Sequence, residues 1–322
     1  MSISVNELSK NAHGGTELMI EGLRKWADPE LLEQVHIIPS RVRELSSDKP
    51  NILWVHDLWS DPEMTRMNDP IWRAQFAAIV FVSNWQRATY MVGHDMPYDG
   101  TIIMRNAIEP IPLHVKPVEE DTPIKLIYHT TPHRGLQILV PVFERIYQDL
   151  GDKIHLDVFS SFNAYGWPER DAPYKQLFDR CREHPGITYH GYKPNHVVRE
   201  ALKEAHIFAY PSIWEETSCI AAMEAMAAGC QIVCSDMGAL PETTAGFGHT
   251  YPYTTDLGEH SIMFEAFLRR AIYGVREFST IYLTKQQANF ANIMYNWQVR
   301  GQQWNALLRG VIEYNNINKV RH

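Results

Sequence analysis

Short apolar runs recur along the chain and alternate with longer stretches of helical periodicity. NILWVHD (51–57), AAIVFVS (77–83) and TIIM (101–104) have the length and the β-branched content of buried strands. The same pattern resumes further on, with RGLQILVPVFERIYQDL as a typical helix between strands; these later strands are KLIYH (125–129), IHLDVFS, ITYHG, HIFAYPS and CQIVCSD. Apolar strands that alternate with helices predict parallel sheets covered on both faces.

One segment interrupts the alternation and divides the chain. EPIPLHVKPVEEDTP (109–123) contains four prolines and a cluster of acids, which break regular structure. Two α/β series separated by such a segment predict two Rossmann-like domains with a ligand cleft at the carboxyl ends of their strands. From about Gly258 to Tyr314 the sequence is helical throughout. The predicted boundaries are 1–112 for the first domain, 113–123 for the linker, 124–295 for the second domain and 296–322 for a last helix.

Composition excludes several classes of protein. A net charge of −8 argues against a general nucleic-acid binder, which needs a basic face. The four cysteines form no CxxC pair and predict reduced, buried thiols, with Cys230 and Cys234 in a core strand. The start resembles no signal peptide, and no apolar run reaches the roughly 18 residues of a membrane helix. We therefore expect a soluble, cytoplasmic protein.

The stretch SIWEETSCIAAMEAMAAGC (212–230) carries the most informative chemistry. It follows a strand and predicts a helix that begins near Thr217 or Ser218, whose free N–H groups favour an anion such as a pyrophosphate. Glu215 fits an exposed acid at the helix start. Glu224 differs, because apolar residues surround it on the helix and a carboxylate there needs a partner.

Several motifs in a fixed order resemble one known family. Two glutamates separated by seven residues, Glu216 and Glu224, precede EAMAAGC and SDMGALPET. This pattern resembles the signature of the retaining GT-B glycosyltransferases of the "group 1" family (family four). Other segments that resemble the family, from about Asn11 to the final helix, are GGTELM, VSNW, RNAIEP, YHTTPHRGLQIL and ITYHGY.

The resemblance implies how a donor nucleotide sugar is held. Glu224 would bind the ribose hydroxyls and Glu216 the hydroxyls of the donor sugar. Arg134 stands where the family has its phosphate-binding lysine, and its fork suits two phosphate oxygens. The backbone N–H groups that would receive the diphosphate are those of Ser218, Cys219 and Ile220.

Further roles follow from the same resemblance. Gly14 and Gly15 would let the backbone of the first domain approach the donor, with a plain turn and helix start as the alternative. His56 matches a histidine near the donor sugar in relatives. Gly191 and Tyr192 would flank the nucleotide base. The last helix would cross back to the first domain, along a side formed by Trp297, Trp304, Leu307, Leu308 and Val311.

The chain departs from the family at two places near the phosphates. A basic residue is usual where this sequence has His129 or Thr130, and neither carries a permanent charge at pH 7. His133 is expected to add some positive charge. Cys219 replaces a usual glycine, which predicts a tighter approach of the ligand to the backbone.

The resemblance therefore implies a retaining, metal-independent glycosyltransferase with no cofactor. Its donor would be a UDP- or GDP-linked sugar, and its acceptor a hydroxyl of a glycan, a lipid or a small molecule; contact with a membrane surface stays open. The alternatives are a nucleotide-sugar epimerase or phosphorylase on the same fold, or a non-catalytic carbohydrate-binding protein. An NAD-dependent oxidoreductase is disfavoured, because no GxGxxG follows a strand.

Overall fold

A computed structural model describes the backbone of residues 14–114 and 116–320, and the side chains up to residue 317. The chain divides into two compact units. Residues 14–109 and 295–320 form the first unit, and residues 110–294 form the second. None of the helices within the described residues is long and apolar enough to cross a membrane.

The first unit is built on a parallel sheet whose strands follow one another in chain order. The interior strands are buried except at Ala77 because both faces of the sheet are covered, which is why they are continuous apolar runs in the sequence. The strands are β1 His36–Pro39, β2 Asn51–Val55, β3 Phe76–Phe81 and β4 Thr101–Ile103. The helices are α1 Gly15–Trp26, α2 Pro29–Glu33, α3 Pro70–Arg73 and α4 Asn84–Gly93.

The second unit contains a six-stranded, wholly parallel sheet in the order β10-β9-β8-β5-β6-β7. Its strands are β5 Ile124–Tyr128, β6 Ile154–Val158, β7 Ile187–Tyr189, β8 Ile207–Tyr210, β9 Gln231–Ser235 and β10 His249–Tyr251. Its helices are α5 Leu136–Leu150, α6 Lys175–Glu183, α7 Asn195–Glu204, α8 Ile220–Ala227, α9 Leu240–Thr244, α10 Leu257–Gly274 and α11 Phe278–Met294.

The order of the second sheet reverses between two neighbouring strands. The chain runs from β5 outward through β6 to β7, then returns and places β8 on the other side of β5. Loops that leave the carboxyl ends of such a pair diverge to opposite faces of the sheet and leave a crevice. The loops after β5 and β8 are therefore the place in this unit where a ligand is expected.

The α/β class with two parallel sheets is confirmed, and all eight strands read from the sequence are present. The strands β1 and β10 were missed, because each has only three or four residues and lies at one end of the sheet order. The weak strand ISV expected at the start of the chain lies outside the described residues. All four cysteines are free and buried, as predicted.

The last helix, α12 (Trp297–Val320), belongs to the first unit and packs against α1. Trp304 is fully buried, and its ring meets that of Trp54 edge-on at 4.9 Å between centroids. Trp297, Leu308 and Val311 are also buried, so the predicted aromatic and aliphatic side of this helix faces the unit's interior. Close approach of the two helices depends on Gly301, where a Cβ would lie 2.5 Å from the main-chain oxygen of Trp26.

Gly301 and Gly310 form a matched pair on α12, since nothing lies within 4 Å of a Cβ placed at Gly310. We expect Gly310→Ala to raise the free energy of unfolding by ~0.5–1 kcal/mol, because alanine is the better helix former. Gly301→Ala should lower it by about 1–3 kcal/mol, because α12 must move away from α1. Urea unfolding followed by tryptophan fluorescence compares the two; equal stabilisation by both would contradict the close packing.

Candidate functional site

The loop after β5 is locked against the loop after β8 by a glycine. Gly135 has φ +131°, which favours glycine, and a Cβ there would stand 2.2 Å from the carbonyl oxygen of Pro211. The N–H of Ile213 donates to the carbonyl oxygen of Arg134 at 3.3 Å. Arg134 ends a short 3₁₀ turn that begins at Pro132, so the backbone that carries its side chain is held in a regular turn. The two loops at the switch point thus form one body.

A second glycine fixes the backbone of Glu216. Gly238 has φ +65°, and a Cβ there would lie 2.5 Å from the Glu216 nitrogen and 2.6 Å from its oxygen. The N–H of Ala239 donates to the Glu216 carbonyl oxygen at 2.7 Å. The Ser235 hydroxyl donates to the carbonyl oxygen of Ser212 at 2.6 Å. The loop after β9 therefore holds the loop after β8 in place.

Arg134 and Glu216 form a buried ion pair at this place. Nη1 of Arg134 lies 2.5 Å from Oε1 of Glu216, and the two side chains are 20% and 6% exposed. The hydroxyl of the fully buried Tyr210 donates to the same carboxylate oxygen. Nη2 of Arg134 donates to the hydroxyl of Tyr165 at 3.3 Å. Burial disfavours the charged guanidinium, but the charge of Glu216 outweighs it and raises the pKa of Arg134 well above its usual value.

Several polar atoms of the loop after β5 are buried without a hydrogen bond. Nε2 of His129, Oγ1 of Thr131 and Nε of Arg134 have no partner among the described residues. Thr130 lies between them and is partly buried. Buried polar atoms are nearly always satisfied in folded proteins, so a cluster of exceptions within six residues points to a polar ligand. This signal is not visible in the sequence.

The two histidines of this loop are neutral at pH 7. Burial lowers the pKa of His129 to about 3, although a backbone hydrogen bond with Ala221 opposes the shift. Burial and the charge of Arg134 lower the pKa of His133 to about 4. The expectation that His133 adds positive charge is therefore wrong, because its site is too dry to hold a second cation beside Arg134. The cationic charge of the loop comes from Arg134.

The helix after Glu216 begins later than predicted. It starts at Ile220 with Cys219 as N-cap, not at Thr217 or Ser218, because Gly238 and Ala239 hold the Glu216 backbone in a non-helical position. Glu215, expected as an exposed acid at the helix start, is partly buried and lies five residues before it.

The substitution of cysteine for the family's glycine leaves the backbone unstrained. Cys219 has φ −74°, a conformation that any residue adopts, and its side chain is buried. It makes no capping hydrogen bond to the first turn of α8. The backbone N–H groups at Cys219 and Ile220 therefore keep the orientation of a helix N-terminus, with buried Ser218 before them.

Glu224 lies in the middle of α8 and is 4% exposed. Nδ2 of Asn195 donates to its two carboxylate oxygens at 3.0 and 3.1 Å, and Nη1 of Arg199 donates to Oε1 at 3.0 Å. The prediction that this carboxylate needs a partner is confirmed. Burial raises the pKa of Glu224, and the charge of Arg199 opposes that shift. The partners were missed, although their spacing of four residues places both on one face of α7.

The expected base-flanking residues follow β7. Gly191 has φ +64°, and Tyr192 is partly buried, which raises the pKa of its hydroxyl. Next to them, Nε2 of His190 lies 2.7 Å from Oδ1 of Asp157, and its ring stacks on Phe159 at 4.1 Å. The His190 pair was not anticipated from the sequence.

The remaining expected residues lie in the first unit. His56 directly follows β2, and its ring lies 4.5 Å from that of Trp54. Burial lowers the pKa of His56 to about 3, so the ring is neutral at pH 7. Gly14 is the N-cap of α1 and Gly15 is its first residue, which agrees with the helix start weighed from the sequence.

Gly238 and Gly246 provide a matched test of the clamp on Glu216. Both have positive φ, but a Cβ at Gly246 meets nothing within 4 Å. We expect Gly246→Ala to lower the free energy of unfolding by about 1–2 kcal/mol through backbone strain alone. Gly238→Ala should cost about 1–3 kcal/mol more, because its methyl displaces the Glu216 backbone. Denaturant unfolding of both variants measures the difference; equal losses would show that the clamp is loose.

Comparison with protein families gives one match. Residues 114–249 match the model described as "Glycosyl transferases group 1". This span contains the loop after β5, the loop after β8 and helix α8. No curated protein matches the sequence significantly.

Solved structures with the same fold cover most of the chain. The glycosyltransferase from Rickettsia africae has a TM-score of 0.69 at 13% identity, over 96% of this chain and 84% of its own. Anabaena HepE in complex with UDP-glucose has a TM-score of 0.61 at 13% identity, over 81% and 72%. Sucrose-phosphate synthase from Thermosynechococcus elongatus has a TM-score of 0.63 at 16% identity, over 86% and 74%.

Identities this low show the fold, and the family match adds the class of enzyme for the span it covers. Residues 114–249 match the model of the glycosyl transferases group 1 family, which supports a transferase, and the chain has the GT-B fold that its motifs predicted.

Proposed function

We propose that the protein transfers a sugar from a UDP- or GDP-linked donor to an acceptor hydroxyl, with retention and without a metal. The observation that carries the proposal is the buried Arg134–Glu216 pair at the switch point of the second sheet, beside buried polar atoms that the described residues leave unsatisfied. A structural neighbour, HepE, is known in complex with UDP-glucose. Because the ion pair and the unsatisfied atoms lie in the second unit, we assign the donor to that unit.

The diphosphate would be bound by backbone N–H groups at a helix N-terminus and by a side-chain cation. The N-terminus of α8 offers the N–H groups of Ser218, Cys219 and Ile220, and its dipole favours negative charge. Arg134 offers a permanent cation whose Nε still has donor capacity within the described structure. His129 and Thr130 supply neutral hydrogen-bonding groups in the same loop.

Glu216 and Glu224 would take hydroxyl groups of the donor. Tyr210 and Arg134 both bind Oε1 of Glu216, which leaves Oε2 to accept from hydroxyls of the sugar. Glu224 would accept from the ribose. Gly191 and Tyr192 lie beyond the end of β7, where the base is assigned.

In the transfer step the bond from the anomeric carbon to the diphosphate oxygen breaks. A bond from that carbon to the acceptor oxygen forms on the same face, and the acceptor proton passes to the leaving phosphate oxygen. Arg134 and the N-terminus of α8 stabilise the charge that develops on the diphosphate. Glu216 positions the sugar and is not a general acid.

The resemblance alone assigns roles to three residues of the first unit. His56 is neutral, so it would donate or accept a hydrogen bond near the donor sugar and bring no charge. Gly14 and Gly15 would let the backbone approach the donor. The acceptor would be a glycan, a lipid or a small molecule, and the protein would act in the cytoplasm.

The direct test is a screen of nucleotide sugars that measures released UDP or GDP, with and without an acceptor set and with excess EDTA. We expect one donor class to be turned over at an unchanged rate in EDTA, and NMR of the product to show the donor's anomeric configuration. Hydrolysis without transfer, or epimerised sugar, would favour the alternative chemistries on this fold. If the protein neither releases a nucleotide from any donor nor binds UDP or GDP, it is a non-catalytic protein.

Replacing Arg134 tests the source of charge stabilisation. Arg134→Ala should lower kcat by roughly 100-fold or more, as expected when an electrostatic contact to the transition state is lost. Arg134→Lys keeps the charge but loses the forked guanidinium, so its kcat should lie between those of the wild type and Arg134→Ala. Arg145 is an exposed arginine on α5 in the same unit, paired with Glu265 at 2.7 Å, and Arg145→Ala is the control with near-normal kcat. A fall of less than fivefold in Arg134→Ala would refute the assignment.

A further inference from the structure

Helix α7 presents two side chains to one carboxylate of α8. Asn195 reaches both oxygens of Glu224, and Arg199 reaches Oε1. A carboxylate has about four acceptor positions, so these contacts occupy three of them. Both contacts at Oε1 are 3.0 Å, while Oε2 receives the longer, 3.1 Å arm of the Asn195 amide. Oε2 is the oxygen with capacity for another donor.

The guanidinium of Arg199 is held at two ends. Nη1 donates to Glu224, and Nη2 donates to the carbonyl oxygen of Pro110 at 3.0 Å. Its side chain is 17% exposed, compared with 6% for Glu224. A guanidinium tied in this way cannot follow the carboxylate if it rotates, so it fixes the plane of the Glu224 carboxylate.

We propose that Asn195 and Arg199 are positioning residues for the donor nucleotide, which turn Oε2 of Glu224 towards a ribose hydroxyl. The inference rests on the proposed function and adds to it two residues on α7. Without them, the carboxylate would be free to rotate and its desolvated charge would be unbalanced. Affinity for the ribose would then fall even though Glu224 is present.

The alternative is that the cluster only joins α7 to α8. In that case, loss of the cluster lowers the stability of the protein or weakens the binding of all nucleotides to the same extent. A positioning role has a different signature, because only ligands with ribose hydroxyls lose affinity. The ratio of affinities for a ribonucleotide and its dideoxy form therefore separates the two roles.

The experiment measures calorimetric Kd values for UDP and 2′,3′-dideoxy-UDP, or for the GDP pair if the donor screen selects guanosine. Wild type should prefer the ribonucleotide by about 10-fold or more, the effect of a hydrogen bond to a charged group. Asn195→Ala and Arg199→Ala should reduce that preference to about 3-fold or less, with dideoxy affinity changed by less than about twofold. Arg199→Lys keeps the charge but cannot contact Glu224 and Pro110 together, so its preference should lie between those of the wild type and Arg199→Ala.

Lys203 is the matched control, since it lies on the same helix in a surface ion pair with Glu200. Lys203→Ala should keep the wild-type preference. If Arg199→Ala does not fold, Asn195→Ala and Arg199→Lys still decide the question. An unchanged preference in Asn195→Ala and Arg199→Ala overturns the inference and leaves the proposed function intact. If the wild type binds neither UDP nor GDP, the proposed function and the inference both fail. If the wild type binds the ribonucleotide and its dideoxy form equally well, the contact between Glu224 and the ribose is overturned.

Discussion

The architecture of the candidate site depends on one buried ion pair. Arg134 and Glu216 come from loops that diverge at the switch point of the second sheet, and each would be costly to bury alone. Together with the hydroxyl of Tyr210 they form a centre in which both other groups contact Oε1 of Glu216. The loops around the pair must therefore hold their positions closely.

Two close backbone approaches provide that rigidity. Gly135 abuts Pro211, and Gly238 abuts Glu216, each at a distance that excludes any side chain. The three loops after β5, β8 and β9 are in this way joined into a single support. The same constraint explains why α8 begins at Ile220, since a helix that started earlier would pull the Glu216 backbone out of the clamp. The contacts that fix the Glu216 backbone therefore limit how early α8 can begin.

The sequence alone predicted the fold class and eight of the strands, because these depend on local period and on a family motif. It also singled out Arg134 and Glu216, which the structure brings together. What it could not predict depends on contacts between distant segments. The pairing of Glu224 with Asn195 and Arg199 joins two helices, and the neutral state of His133 comes from burial that no local pattern records. The short strands β1 and β10 form through pairing with longer neighbours and carry little signal of their own.

The same ion pair has a consequence for selectivity. Its charges already cancel, so an isolated anion that approaches Arg134 must compete with a carboxylate 2.5 Å away, and an isolated sugar finds Glu216 engaged by a cation. Under the proposed function, neither half of a nucleotide sugar would gain much from the centre by itself. A molecule that brings phosphate oxygens and sugar hydroxyls together would engage both members of the pair at once. The ion pair would in this way disfavour free phosphates and free sugars as ligands.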